Sequence, residues 1–115
     1  KSAKVTLKNK KNTTSLVMAR NEELLRDLGF ELRDLTPEER QRLETQGVKV
    51  ISIYRESRIE RTNMDPGFII TKIDNKRISD VDQLIRELER ADGKVMLEGV
   101  YENYSGEYYY AFPVD

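Results

Sequence analysis

The alternation of apolar and polar positions divides the chain into short elements. At residues 4–8, Val5 and Leu7 alternate with Thr6 and Lys8, the pattern of a half-buried strand. The polar stretch NKKNTTS then reads as a turn or linker, before SLVMA as a second short strand or extended chain. Asn21 caps a short helix through Arg26, with Glu22 and Glu23 in the first turn where the helix dipole favours acids. That helix stops at Leu28-Gly29, and Phe30, Leu32 and Leu35 alternate with Glu31 and Arg33 as a strand with one apolar face. Thr36-Pro37-Glu38-Glu39 is the strongest local signal: a Thr cap, Pro at the first helical position and Glu three residues after the cap. About two helical turns follow to Leu43, and Gly47 releases the chain into residues 48–54, apolar enough on both faces for a central strand.

The next stretch, RESRIERTNMDPG, has no clean period and reads as a loop with at most one helical turn, ending in the turn Asp65-Pro66-Gly67. Residues 68–73 form a strand closed by a tight turn at Asp74-Asn75-Lys76-Arg77, with a short return strand at Arg77 and Ile78. Ser79 caps a helix with Asp82 three residues on; Val81, Leu84, Ile85 and Leu88 share one face, and Gly93 ends it. KVMLEGVY and EYYYAFPV make a terminal hairpin turning around Asn103-Tyr104-Ser105-Gly106, in which Tyr109 points opposite to Tyr108 and Tyr110. Five to seven short strands with two well-marked helices make an α+β domain on a mostly antiparallel sheet.

At 115 residues the chain suits one compact domain, and 37% hydrophobic with 36% charged residues suits a modest core under a heavily charged surface. No apolar run nears the ~20 residues needed to cross a bilayer, so membrane insertion is not expected. The chain begins at Lys1 and reads as an excised or processed piece. With no cysteine and no histidine it has no disulfide, thiolate ligand, imidazole base or Ser-His-Asp triad. The carboxylates have local duties: Glu38 and Glu39 at a cap, Asp74 in a turn, Asp80 and Asp82 at a helix start. No convergent pair is left for a carboxylate enzyme, and no calcium-loop spacing occurs. No catalytic residue, metal or cofactor is expected.

The net charge of −1 hides six basic residues and no acid within residues 1–20, which leaves −7 on the remainder. A strand with lysines on its wet face accounts for this better than a nucleic-acid arm, because nothing aromatic interleaves the lysines. No nucleic-acid partner is expected. The tyrosines of the hairpin fill cross-strand pairs, or present a protein contact surface.

Four segments carry a resemblance: Arg26-Asp27-Leu28-Gly29-Phe30, Pro66-Gly67-Phe68-Ile69-Ile70, Ile73-Asp74-Asn75-Lys76-Arg77-Ile78, and Ser79-Asp80-Val81-Asp82-Gln83-Leu84. In this order, over residues 26–114, the chain resembles a PDZ domain of the HtrA (Do, DegP-like) serine proteases, and most closely the second one of the chain. The resemblance implies a PDZ-like α+β fold: a mostly antiparallel, five- to six-stranded, partly open barrel or sheet capped by two helices. Residues 1–20 would be the closing strand of a preceding PDZ domain plus a linker, and residues 21–115 the PDZ domain. A peptide or unfolded-protein C-terminus would add as a strand beside the one starting at Phe30, its carboxylate against the loop Arg26, Asp27, Leu28, Gly29 and Phe30. The groove would be lined by Glu31, Leu32, Val81, Leu84, Ile85 and Leu88. Gly29 would let the backbone approach closely.

The resemblance further implies a parent serine endopeptidase of periplasmic or cell-envelope quality control. Its protease domain, its first PDZ domain and other subunits of a homo-oligomer would be neighbours. Two departures from the family pattern, Gly67-Phe68 in place of Gly-Asp and RESRIERTNMD in place of a small-residue helix, motivate the alternative of an assembly module with a vestigial groove.

Overall fold

A computed structural model describes residues 23–114. The expected strands at residues 4–8 and 15–19, the linker between them and the Asn21 cap lie outside the described residues. Helix α1, residues 23–28, leads into β1 (Phe30–Asp34), α2 (Pro37–Leu43), β2 (Val48–Ile53), a single 3-10 turn (Glu60–Thr62), β3 (Ile69–Ile73), β4 (Lys76–Arg77), α3 (Val81–Arg90), β5 (Lys94–Tyr101) and β6 (Tyr104–Pro113). The strands form one open antiparallel sheet in the order β1-β2-β3-β5-β6, with β4 paired to β3. The sheet coils around a core in which Phe30, Val50, Phe68, Leu84 and Leu97 are fully buried. This is the mostly antiparallel, six-stranded α+β arrangement expected.

Local chemistry explains the elements. At α2 the Glu39 N–H donates to Thr36 Oγ1 and the Thr36 N–H donates to Glu39 Oε1, a reciprocal capping box with Pro37 at the first helical position. At the β3–β4 hairpin, Asp74 and Asn75 adopt φ of 48° and 72°, the left-handed pair that a two-residue turn between twisted strands requires. Helix α3 turns Leu84, Ile85 and Leu88 inward.

Some details differ from the sequence expectation. The return strand β4 is Lys76–Arg77, one residue earlier than Arg77 and Ile78, because the tight turn takes only Asp74 and Asn75. The N-cap of α3 is Asp80, whose Oδ1 accepts from the Gln83 N–H, while Ser79 donates to Gln83 Oε1 from one residue outside. Both residues are good caps, and the extended backbone of Asp80 decides. The β5–β6 turn is the two residues between paired Tyr101 and Tyr104; Gly106, at φ 93°, lies within β6, where a register shift lets two strands of unequal length pair. The loop after β2 carries only the 3-10 turn, yet it buries Ile59 and Met64. Its contribution to the core has no period for a sequence pattern to display.

A charged network ties α2 to the sheet and the β5–β6 turn. Arg33 donates to both oxygens of the buried Glu39 at 2.8 and 2.9 Å, and Lys49 lies 3.4 Å from both Glu39 and Glu102, the latter also held by Arg42. The Arg33 hydrogen bonds first, and the Thr36 N–H second, hold the Glu39 carboxyl well below the usual carboxylate range. A carboxylate depressed in the fold stabilises it fully above the unfolded value near 4.5 and loses that contribution as pH falls below it. Urea unfolding from pH 7 to pH 3 should therefore show the wild type losing stability below about pH 4.5. Glu39→Gln should start less stable at pH 7 and show a flatter acid limb.

Candidate peptide-binding site

Helix α1 ends where Gly29 turns the chain at φ 117°, and its N–H donates to the Leu25 carbonyl at 2.8 Å. The carbonyls of Leu28 and Gly29 accept from the N–H groups of Ile59 and Tyr54. What comes close to Gly29 is Ser57: a Cβ built on residue 29 would stand 2.1 Å from Ser57 Cβ. Ser57 is itself fixed, its hydroxyl donating to the Tyr54 carbonyl and accepting from the Glu60 N–H. The glycine thus has a structural reason of its own, in which the β2–β3 loop is the approaching group.

From that anchor β1 runs out as an end strand of the described sheet, with β2 as its strand neighbour. Phe30 stands opposite Ile53 while the Tyr54 N–H bonds the Gly29 carbonyl; Leu32 stands opposite Val50, whose N–H and C=O are both engaged on the far side by Phe68 and Gly67. Both are therefore non-hydrogen-bonded pairs, and the main-chain groups of Phe30 and Leu32 face away from β2, along the open edge. At the other end of β1, Asp34 Oδ1 accepts from the Val81 N–H at 2.8 Å, which pins the start of α3 beside the strand.

The expected site residues fall into three groups. Leu28, Phe30, Leu84, Ile85 and Leu88 are buried at 0–3% exposure, so the stripe of α3 and the inner face of β1 are occupied by core packing. Leu32 and Val81 are half-buried, while Arg26, Asp27 and Glu31 are exposed. A cleft of about 200 Å³ at the start of β1 gathers Arg26, Phe30, Glu31 and Leu32 with Leu25, Ile51 and Tyr54. Val81, Leu84, Ile85 and Leu88 are not among its lining. Ile51 and Tyr54 were missed by sequence reasoning, and the available signal was Ile51 itself, an apolar residue on the polar phase of β2 that the structure leaves 49% exposed.

On the opposite end of the sheet Tyr101 packs edge-on to Tyr108 at 5.1 Å between ring centres and Tyr110 edge-on to Phe68 at 4.9 Å, while Tyr101 lies tilted against Phe68 at 5.1 Å. The Tyr101 and Tyr110 hydroxyls share a hydrogen bond of 2.7 Å, and burial, reinforced by that bond, raises the Tyr110 phenol above its ordinary range. Tyr109 points outward as the alternation requires and is 53% exposed. No group of three or more metal-binding side chains occurs among the described residues.

An open antiparallel sheet with a helix pinned beside its end strand, entered through a glycine loop, is the PDZ fold. The comparisons agree. Over 75% of this chain and 81% of that one, the fold matches the PDZ domain of HtrA3 bound to a phage-derived ligand, FGRWV, with TM-score 0.64 and 21% identity. It also matches the HtrA-type protease AlgW with a decapeptide (TM-score 0.60, 26% identity, 75% of this chain) and AlgW S227A with a tripeptide (TM-score 0.58, 28% identity, 75% of this chain). The chain spans 27% and 30% of those two AlgW chains. No protein-family model and no curated protein sequence matches it. The chain therefore has a PDZ fold of the kind found in HtrA-type proteases.

The Gly29–Ser57 contact is directly testable. Gly29→Ala should destabilise the domain by about 2 kcal/mol or more, from a left-handed alanine and an overlap with Ser57 together. Ser57→Gly in the same chain should recover only the overlap part, read by urea unfolding.

Proposed function

We propose that this chain is a peptide-binding PDZ module that takes an extended polypeptide C-terminus as an added strand on the open edge of β1. The observation that carries the reading is the pair of outward-facing main-chain positions, Phe30 and Leu32, at an end strand beside a cleft of mixed apolar and charged lining; that HtrA3 and AlgW were solved with peptides supports it. Antiparallel addition sets the last residue opposite Phe30 and the third from the end opposite Leu32. The carboxylate then meets the Phe30 N–H at the end of β1 where the exposed Arg26 lines the same cleft. The Gly29 N–H, bonded to Leu25, joins it when that turn opens. Leu84, Ile85 and Leu88 are at most 3% exposed and, with Val81, lie outside that cleft, which limits what α3 offers the last side chain.

In this reading residues 1–20 are the end of a preceding PDZ domain and a linker, and residues 21–115 the module itself. It serves a cell-envelope HtrA-type serine endopeptidase in quality control, presenting hydrophobic or unfolded chain ends to a protease domain. Titration of the domain into a fluorescein-labelled decapeptide ending in a free Val carboxylate should give micromolar binding, about 8 kcal/mol. The C-amidated peptide should bind at least tenfold more weakly, since a charge-assisted hydrogen bond contributes about 1.5–3 kcal/mol. Equal binding of the two peptides would remove the carboxylate from the account.

One observation favours a second reading, an assembly module with a vestigial groove: Leu84, Ile85 and Leu88 are at most 3% exposed, whereas Tyr104 and Tyr109 stand out on the terminal hairpin. Sedimentation of the parent protein with and without residues 21–115 separates the readings. A smaller oligomer without them would favour assembly.

A further inference from the structure

The two charged side chains on the outer face of β1 are in opposite electrostatic states. Arg33 is engaged by both oxygens of Glu39, at 2.8 and 2.9 Å. Glu31 is exposed, accepts one hydrogen bond from the Ser52 hydroxyl at 2.7 Å, and has no ion-pair partner among the described residues. A serine hydroxyl orients a carboxylate without neutralising it. The outer face of the open edge therefore presents one oriented, uncompensated negative charge, one residue along from the position proposed to receive the carboxylate.

Strand addition gives that charge a defined reader. With the last peptide residue opposite Phe30 and the third from last opposite Leu32, the penultimate residue stands directly opposite Glu31, on the same face. The fourth from last stands opposite Arg33. Directly opposed side chains on one face of an antiparallel pair lie about 4.5–5.5 Å apart at Cβ, within reach of an ion pair. We infer that Glu31 is a specificity residue that selects a Lys or Arg at the penultimate position of the bound chain end. The ligand class is thus a C-terminus with a cationic penultimate residue and an apolar last one. The fourth-from-last position, facing an arginine already paired, carries much weaker charge selection. Arg26, which lines the same cleft, attracts the terminal carboxylate, so one cleft reads both charges.

The inference rests on the strand-addition reading above, and the test separates the two. Three fluorescein-labelled decapeptides ending in free Val, identical except for Lys, Ala or Glu at the penultimate position, are titrated with the wild-type domain, Glu31→Gln and Glu31→Lys. The Lys peptide should bind the wild type about fivefold more tightly than the Glu peptide, with Ala between. The preference should vanish in Glu31→Gln, reverse in Glu31→Lys and shrink in 0.5 M NaCl. The same substitutions at the fourth-from-last position should move affinity less than twofold. Equal affinities for the three peptides, or a Lys preference that survives Glu31→Gln, would overturn the assignment while leaving strand addition standing. Failure of all three to bind would overturn strand addition itself.

Discussion

The main chain between α1 and β1 comes so near the β2–β3 loop that an ordinary side chain at residue 29 has no room: Ser57 occupies the space where its Cβ would stand. Around that contact the carbonyls of residues 28 and 29 are taken by Ile59 and Tyr54, and the Gly29 amide closes the end of α1. The entry point of β1 is thereby fixed from three directions, by the helix before it, the strand beside it and the loop beneath it. Everything proposed for the edge of β1 depends on where this point lies, because it sets which residues of the strand face inward, outward and along the open edge.

A second constraint acts at the far end of the strand. Asp34 holds the first amide of α3, so strand and helix run side by side with their separation fixed, while Leu84, Ile85 and Leu88 fill the space between them. In the strand-addition reading proposed above, recognition would rest on main-chain hydrogen bonds and on the exposed side chains Arg26 and Glu31 more than on a deep apolar pocket. Backbone pairing gives affinity with little sequence discrimination, and in that reading the two charges would supply the rest.

Much of the architecture was legible because its signals are local. The Thr36 capping box, the Asp74-Asn75 turn and the apolar stripe of α3 each follow from residues within one element, and the structure shows each where the pattern put it. What the sequence could not display was the partner of each feature. Gly29 announced a close approach without naming Ser57, 28 residues on, because only the folded chain brings the two together. Ile59 and Met64 are core residues carried by an irregular loop, where burial has no period. Ile51 and Tyr54 joined the cleft for a related reason: β2 shifts register against β1 between Glu31 and Leu32, and a bulge re-aims side chains that strict alternation assigns elsewhere. The cap of α3 moved by one residue because Ser79 and Asp80 are chemically equivalent candidates, and the choice lies in backbone geometry.

The central claim is that an added strand pairs with the outward main-chain groups of Phe30 and Leu32. Residue-resolved amide hydrogen exchange, with and without a saturating peptide ending in a free valine carboxylate, measures this directly. The account predicts new protection at the Phe30 and Leu32 amides, with little change along β6. Unchanged exchange at those two amides, with protection appearing at the terminal hairpin, would contradict it.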